Sequence, residues 1–410
     1  MGLVNRNYFN DGSCHGKSLE GPSAQCGSSH DRLTVPPVLF NGCFFSHSRE
    51  GGNPVKHFGS PIKTFGDDKK NKYLSLMLIG FLFLCGCSQQ IPKESNKYRE
   101  VKEMMGTIVQ LDVCQDAHSP QDLENAYQHV WERLEEIAWK MNVFDKKSDV
   151  TKVNQSQGEV VSIDKDTYFV LKKAYDFSDI SKGAFDITVW PLIKLWKEHG
   201  KQNTYPSQEE IKSAQHQTGM SKIEFMGIKE NMGQVRVKQN GVQVDLGGIA
   251  KGYAIDEAAR IFRENGIQNF FIDAGGDLYV GGSNCEGKLW RIGIRDPRNK
   301  EKIIDVVKLT NMAVTTSGDY ERYYEIQGER FSHIINPITG MPQKDVVSAT
   351  VIAQDALSAD SLSTALAVLG AEKGTALINT FAMDTASIIM VKKSEGKIKK
   401  YLSQYYQSFN

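Results

Sequence analysis

From residue 107 onward apolar side chains recur at regular intervals, and before residue 70 they do not. Apolar and polar residues alternate through Thr107-Ile108-Val109-Gln110-Leu111-Asp112-Val113, the period of a half-buried strand. Leu123, Ala126, Val130, Leu134 and Ile137 then recur at spacings of three and four, which predicts an amphipathic helix. The same reading gives strands at 160–163, 241–246, 270–273, 278–280, 290–294, 303–309 and 387–391. It gives helices at 167–182, 250–265 and 356–369. Strands and helices mix without strict βαβ repetition, so the expected fold class is α/β or α+β, built as one two-lobed unit. No long-period repeat interrupts it.

The front of the chain reads differently. Residues 1–68 are rich in Gly, Ser, Asn, His and Pro and hold neither period, so they are expected to be a non-native or disordered extension. The stretch from Ser46 to Val55 resembles peptides translated from bacterial intergenic repeats, as if upstream DNA were read from a misplaced start. Residues 69–87 carry Lys69-Lys70-Asn71-Lys72, a short apolar run from Tyr73 to Leu84, and then Leu84-Cys85-Gly86-Cys87. That order marks a secretory signal, too short to span a bilayer comfortably. Leu-x-Gly-Cys resembles the lipobox of bacterial lipoproteins, which would make Cys87 the acylated mature N-terminus; an uncleaved anchor helix is the plain alternative. Residues 88–100 are then a tether, and the folded body is expected over 101–410. Only Cys114 and Cys285 lie beyond Cys87, and their spacing leaves open whether they pair.

Composition bears on function more than on fold. Lys and Arg total 49, matched by 49 Asp and Glu, and no basic stripe stands out, so a nucleic-acid partner is not expected. Seven cysteines are too few for a disulfide scaffold. Gly12-Ser13-Cys14-His15-Gly16-Lys17-Ser18 imitates a phosphate loop, but its first glycine stands one residue too close and no strand precedes it. Dinucleotide fingerprints, His-Glu-x-x-His, Cys-x-x-Cys and Gly-x-Ser-x-Gly elbows are absent.

Four segments could carry chemistry. Val244-Asp245-Leu246-Gly247-Gly248-Ile249-Ala250-Lys251 turns on two glycines and opens a helix, a place where backbone N–H groups and Lys251 could meet an anion. The alternative is a strand-to-helix turn capped by Asp245. Asp273-Ala274-Gly275-Gly276-Asp277 is either backbone packed on a ligand or a tight hairpin with solvated aspartates. In Ser332-His333-Ile334-Ile335-Asn336-Pro337, His333 suits general-base work, and a structural histidine is the default against it. Asp360 and Thr364 stand at i and i+4, so both oxygens share one helix face and suit a hard cation such as Mg²⁺. A solvated helix start is the plain alternative there.

Taken in order, Met105-Gly106-Thr107, Gly183-Ala184-Phe185-Asp186, Asp245–Lys251, Asp273–Asp277, Thr316-Ser317-Gly318-Asp319-Tyr320, Ser332–Gly340 and Asp360–Thr364 resemble the ApbE family, the flavin transferases. The resemblance implies an enzyme that takes FAD and Mg²⁺, releases AMP and attaches FMN through a phosphoester to a Thr or Ser hydroxyl of a target protein. The implied targets are redox-complex subunits of the Na⁺-pumping quinone reductase or Rnf type. It also implies FAD contacts at Met105, Phe144, Ala184, Phe185, Asp186, Asp245, Lys251 and Ile334. The implied metal ligands are the Gly248 carbonyl, Asp360 and Thr364. Family members are often lipoproteins, so a lipid anchor at the periplasmic face of the cell membrane is expected. The chain has Asn336 where the family often has Asp. Two other readings stand beside transfer: a Mg²⁺-dependent FAD pyrophosphatase giving FMN and AMP, and a non-enzymatic flavin-binding lipoprotein.

Overall fold

The computed structural model describes residues 97–114, 118–320, 323–393 and 397–410. The expected extension, the expected signal segment with Cys87, and the expected tether up to residue 96 lie outside the described residues. In chain order the elements begin with β1 (Lys97–Met104), β2 (Thr107–Cys114), α1 (Pro120–Lys140), α2 (Asp149–Asn154), β3 (Val160–Asp164), α3 (Lys165–Ile180), α4 (Trp190–Gln202) and α5 (Gln208–Gln215). They continue with β4 (Ile223–Lys229), β5 (Met232–Val237), α6 (Ala250–Glu264), β6 (Phe270–Ala274), β7 (Asp277–Gly281), β8 (Trp290–Asp296), β9 (Asn299–Leu309) and β10 (Met312–Gly318). The last are β11 (Tyr323–Ile326), β12 (Glu329–Ser332), β13 (Val346–Ala353), α7 (Ala356–Ile378), β14 (Ala386–Lys392) and β15 (Ile398–Leu402).

The fold is mixed α+β. An eight-stranded sheet in the order β1-β2-β6-β7-β10-β13-β14-β15 forms its centre, and every neighbouring pair is antiparallel. Helices α1, α6 and α7 bury their apolar stripes against one face, with Leu123, Val130, Leu134, Ala258, Phe262 and Leu366 in that core. The twisted ribbon β8–β9 covers the other face through Ile292, Ile294, Val307 and Leu309. Strand β13 is therefore buried on both sides, with Val351 and Ala353 in one core and Ile352 in the other. Such a strand shows no alternation, and the period-two pattern passed over it. A third core, under α4, α5 and the β11–β12 hairpin, packs Leu192, Trp196, Ile211, Ile326 and Phe331.

Local chemistry explains the element ends. Ser119 and Asp122 form a reciprocal capping box at the start of α1, with Pro120 in its first turn. Helix α7 breaks at Gly370 (φ 78°, ψ −179°), one residue after the expected end at Leu369, and a further helical stretch runs to Ile378. Cys114, at the end of β2, is disulfide-bonded to Cys285, with Cα atoms 5.1 Å apart.

Two expectations are corrected. Strand β1 begins at Lys97, so residues 97–100 belong to the sheet rather than to a tether. Its polar sequence hid it: Lys97 and Arg99 are held by ion pairs to the buried Asp112 of β2 instead of by apolar burial. Residues 241–246 are not a strand; an isolated parallel bridge pairs Val189 with Gln243. The Asn154 side chain substitutes for a strand partner, accepting the Val244 N–H at 2.6 Å and donating to the Val244 carbonyl at 2.9 Å.

Candidate active site

The antiparallel sheet gathers its turns at one end. Val109 stands opposite Ala274, so the Met105-Gly106 turn and the Gly275-Gly276 turn are neighbours, and the Gly275 N–H donates to the Ile108 carbonyl at 3.1 Å. Strand β10 finishes at that end with Gly318, and β13 starts there beside it. Met105, the first residue of the β1–β2 turn, adopts φ 53° and packs partly against the main core.

Helices α6 and α7 bring their first turns to the same place. Their approach is so close that a Cβ on Gly252 would fall 2.3 Å from the Ala356 carbonyl oxygen. Two carboxylates stitch the contact. Asp256 of α6 accepts the Ala356 and Leu357 N–H groups at 2.7 and 2.9 Å, capping α7 from a neighbouring helix. Asp360 of α7 accepts the Gly252 N–H at 3.1 Å, one of the donors at the open end of α6. Asp245 does not cap α6; the cap residue is Ile249, without a side-chain bond, and Asp245 accepts the Gly247 N–H at 3.1 Å.

Asp360 is 4% exposed, which removes the reading of a solvated helix start. Burial, reinforced by the Asp277 carboxylate, pushes its pKa up to about 7, opposed by the Lys251 ammonium and the Gly252 N–H. Thr364, one turn on, hydrogen-bonds Ser317 of β10 at 3.2 Å. Gly248 lies against this pair: a Cβ there would stand 3.1 Å from Thr364 Oγ1 and 3.4 Å from the Phe185 ring. The sequence-chosen metal residues Gly248, Asp360 and Thr364 thus converge. The donor set is a carboxylate, a hydroxyl and backbone oxygen, which fits a hard cation. Among the described residues no group of three or more His, Cys, Asp or Glu is placed to hold a metal ion. A cation here therefore needs water or substrate oxygens to fill its shell, the habit of Mg²⁺ beside phosphates.

The flavin-side candidates divide. Lys251 pairs with Asp277, in the loop for which the sequence left open both backbone packed on a ligand and a tight hairpin with solvated aspartates. The hairpin is real, but Asp277 is buried, and it also accepts the Thr316 N–H at 3.1 Å. Ala184, Phe185 and Asp186 are buried in the wall next to Gly248. Asp186 is engaged by the Thr188 N–H and hydroxyl at 2.7 and 2.5 Å, and burial raises its pKa. Phe144 is 70% exposed, edge-on to Trp190 at 5.6 Å, with Lys197 over its ring. His333 and Ile334 sit on the loop from β12 to β13. Ile334 donates to Ser332 Oγ and accepts from the Gln343 N–H, while the Trp196 indole N–H holds the Gly340 carbonyl at 2.8 Å. The sequence pointed to neither Asp256 nor Asn154, and it flagged the segments holding Asp277 and Ser317 without assigning either residue a role. The Gly-Gly-Asp turn was the one local signal for Asp277 and the Thr-Ser-Gly-Asp-Tyr motif the one for Ser317; Asp256 and Asn154 act across 90 to 101 residues of chain and leave no spacing to read.

Comparison with known proteins gives the family. The ApbE family profile matches residues 105–389. The chain is 31% identical over 337 residues to the FAD:protein FMN transferase of Vibrio cholerae, spanning 81% of this chain and 97% of that protein. It is 32% identical over 311 residues to the Haemophilus influenzae protein of the same name, spanning 73% and 88%. Among solved structures, the Vibrio cholerae flavin transferase ApbE superposes with a TM-score of 0.67 at 28% identity, covering 77% of this chain and 99% of that one. The ApbE protein of Thermotoga maritima gives the same TM-score at 37% identity, covering 76% and 99%. The chain belongs to the ApbE family, and it is a transferase.

Proposed function

We propose that this chain transfers FMN from FAD to a Thr or Ser hydroxyl of a target protein, with Mg²⁺, releasing AMP. The observation that carries the reading is the convergence of Gly248, Asp360 and Thr364 beside the Lys251–Asp277 pair. A bound Mg²⁺ would supply charge neutralisation on the pyrophosphate and on the departing AMP. Asp360, Thr364 and the Gly248 carbonyl would hold it. Lys251 and the glycine-rich backbone at 247–252 offer positive ends to phosphate oxygens. The acceptor hydroxyl oxygen forms the new bond to the FMN phosphorus, and the pyrophosphate P–O bond breaks with its electron pair leaving on AMP. The hydroxyl proton passes to His333, placed on its braced loop. Met105 and Phe144, one on the hairpin turn and one on the surface beside Trp190, would meet the rings of FAD.

The signal pattern ending at Cys87 supports the further proposal of a lipid-anchored enzyme at the periplasmic face. There its targets would be membrane redox subunits of the Na⁺-pumping quinone reductase or Rnf type. Incubation of the full chain with FAD, MgCl₂ and such a subunit, read by in-gel flavin fluorescence and an AMP assay, tests the function. Transfer predicts a fluorescent acceptor band with matching AMP. AMP without labelled acceptor would instead favour FAD hydrolysis.

A further inference from the structure

As a helix-start lysine, Lys251 was expected to face an anion; its ammonium is seated on the Asp277 carboxylate. Asp277 is almost inaccessible, and its other oxygen takes the Thr316 N–H, so β7 and β10 fix the carboxylate in place. Lys251 reaches it on a flexible four-carbon stem that remains a quarter exposed. The charges of both residues act on Asp360. Asp360 in turn binds the N–H of Gly252, the residue next to Lys251. The ammonium therefore acts electrostatically on the very carboxylate proposed to hold the cation.

We propose that Asp277 is a positioning residue that parks Lys251 beside Asp360 until FAD arrives, so that FAD and the divalent cation bind cooperatively. The inference rests on the FAD and cation reading of the site given above. While Lys251 is parked, a divalent cation meets like charge in a partly buried setting, where Coulomb terms exceed their value in water. The pyrophosphate of FAD offers Lys251 new anionic partners within reach of its stem. Once Lys251 turns to them, Asp277 and Asp360 both face the cation without a competing ammonium. Linkage makes the effect mutual: the cation raises FAD affinity by the factor by which FAD raises cation affinity.

Mn²⁺ binding to the full chain, followed by calorimetry with and without saturating ADP as a pyrophosphate that carries no flavin, tests this. Chelation of Mn²⁺ by ADP is common to all variants and cancels between them. In the native chain ADP should tighten Mn²⁺ binding by at least about fivefold beyond that chelation. Lys251→Met should bind Mn²⁺ alone about tenfold more tightly than native, because a nearby like charge is gone, and should lose most of the ADP effect. Asp277→Asn should likewise reduce the ADP effect to below about twofold. Lys251→Arg, which keeps the charge, should return both quantities to near native values. Native Mn²⁺ affinity in Lys251→Met, or a native ADP effect in folded Asp277→Asn, would overturn the positioning role while leaving the proposed function standing. A native chain that binds neither FAD nor Mn²⁺ would overturn the proposed function and this inference with it.

Discussion

At the scale of single residues, the site depends on carboxylates that burial makes reluctant to ionise. Asp256 is the clearest structural example. Burial pushes it up to about 7, while the backbone donors Ala356 and Leu357 favour its charged form. An unfolded Asp titrates near about 3.9. Between those values the native state keeps a proton that the unfolded chain has lost. This group's contribution to stability is therefore full below about pH 4 and declines as pH rises toward 7. Asp256→Asn should make the fall in Tm across that window shallower than in the native protein. Thermal melts at several pH values check it, and parallel slopes would count against the assignment. His333 belongs to the same scale. His333→Ala should slow transfer by about 10²–10⁴-fold while FAD affinity, read by flavin fluorescence, stays near native.

At the scale of elements, the α6–α7 contact determines whether the site exists. Gly252 allows it, since any Cβ there would run into the Ala356 carbonyl. Gly252→Ala should force the helices apart and destabilise the fold by about 1–3 kcal/mol. It should also weaken Mg²⁺ activation, because Asp360 and Lys251 ride on the two helices. Chemical denaturation and a Mg²⁺ titration of activity measure the two effects; native values of both would contradict this packing account. The sequence made much of this level legible. Amphipathic α1 and α6, the i and i+4 pair on α7, and the Gly-Gly turns carry local periods or turn chemistry. Three of the differences have a plain physical cause. Strand β1 is secured by ion pairs to Asp112, β13 is buried on both faces, and 241–246 resembles a strand but is clamped by Asn154. Asp360 and Thr364, proposed to hold the cation, were readable because an i, i+4 pair is local. Asp277's role was not, because its partners Lys251 and Thr316 come from α6 and β10.

At the scale of the whole molecule, an antiparallel sheet covered on both faces holds the site's turns at one end. The Cys114–Cys285 disulfide ties the end of β2 to the loop between β7 and β8. It closes a long loop (171 residues of separation), and a cross-link of this kind typically contributes about 2–4 kcal/mol. Cys285→Ser should lower the unfolding midpoint accordingly and leave the KM for FAD nearly unchanged, since neither cysteine lies among the site residues. A large rise in that KM would show that the disulfide shapes the site directly.

The activity proposed for this fold is the transfer of FMN onto a protein hydroxyl with a cation held by Asp360. Mass spectrometry of a redox-subunit acceptor after incubation with the full chain, FAD and MgCl₂ tests it most directly. FMN is expected in phosphoester linkage on one Thr or Ser of the acceptor, abolished by EDTA and by Asp360→Ala, with AMP released in equal amount. An unmodified acceptor under those conditions, or undiminished labelling by Asp360→Ala in EDTA, would contradict it.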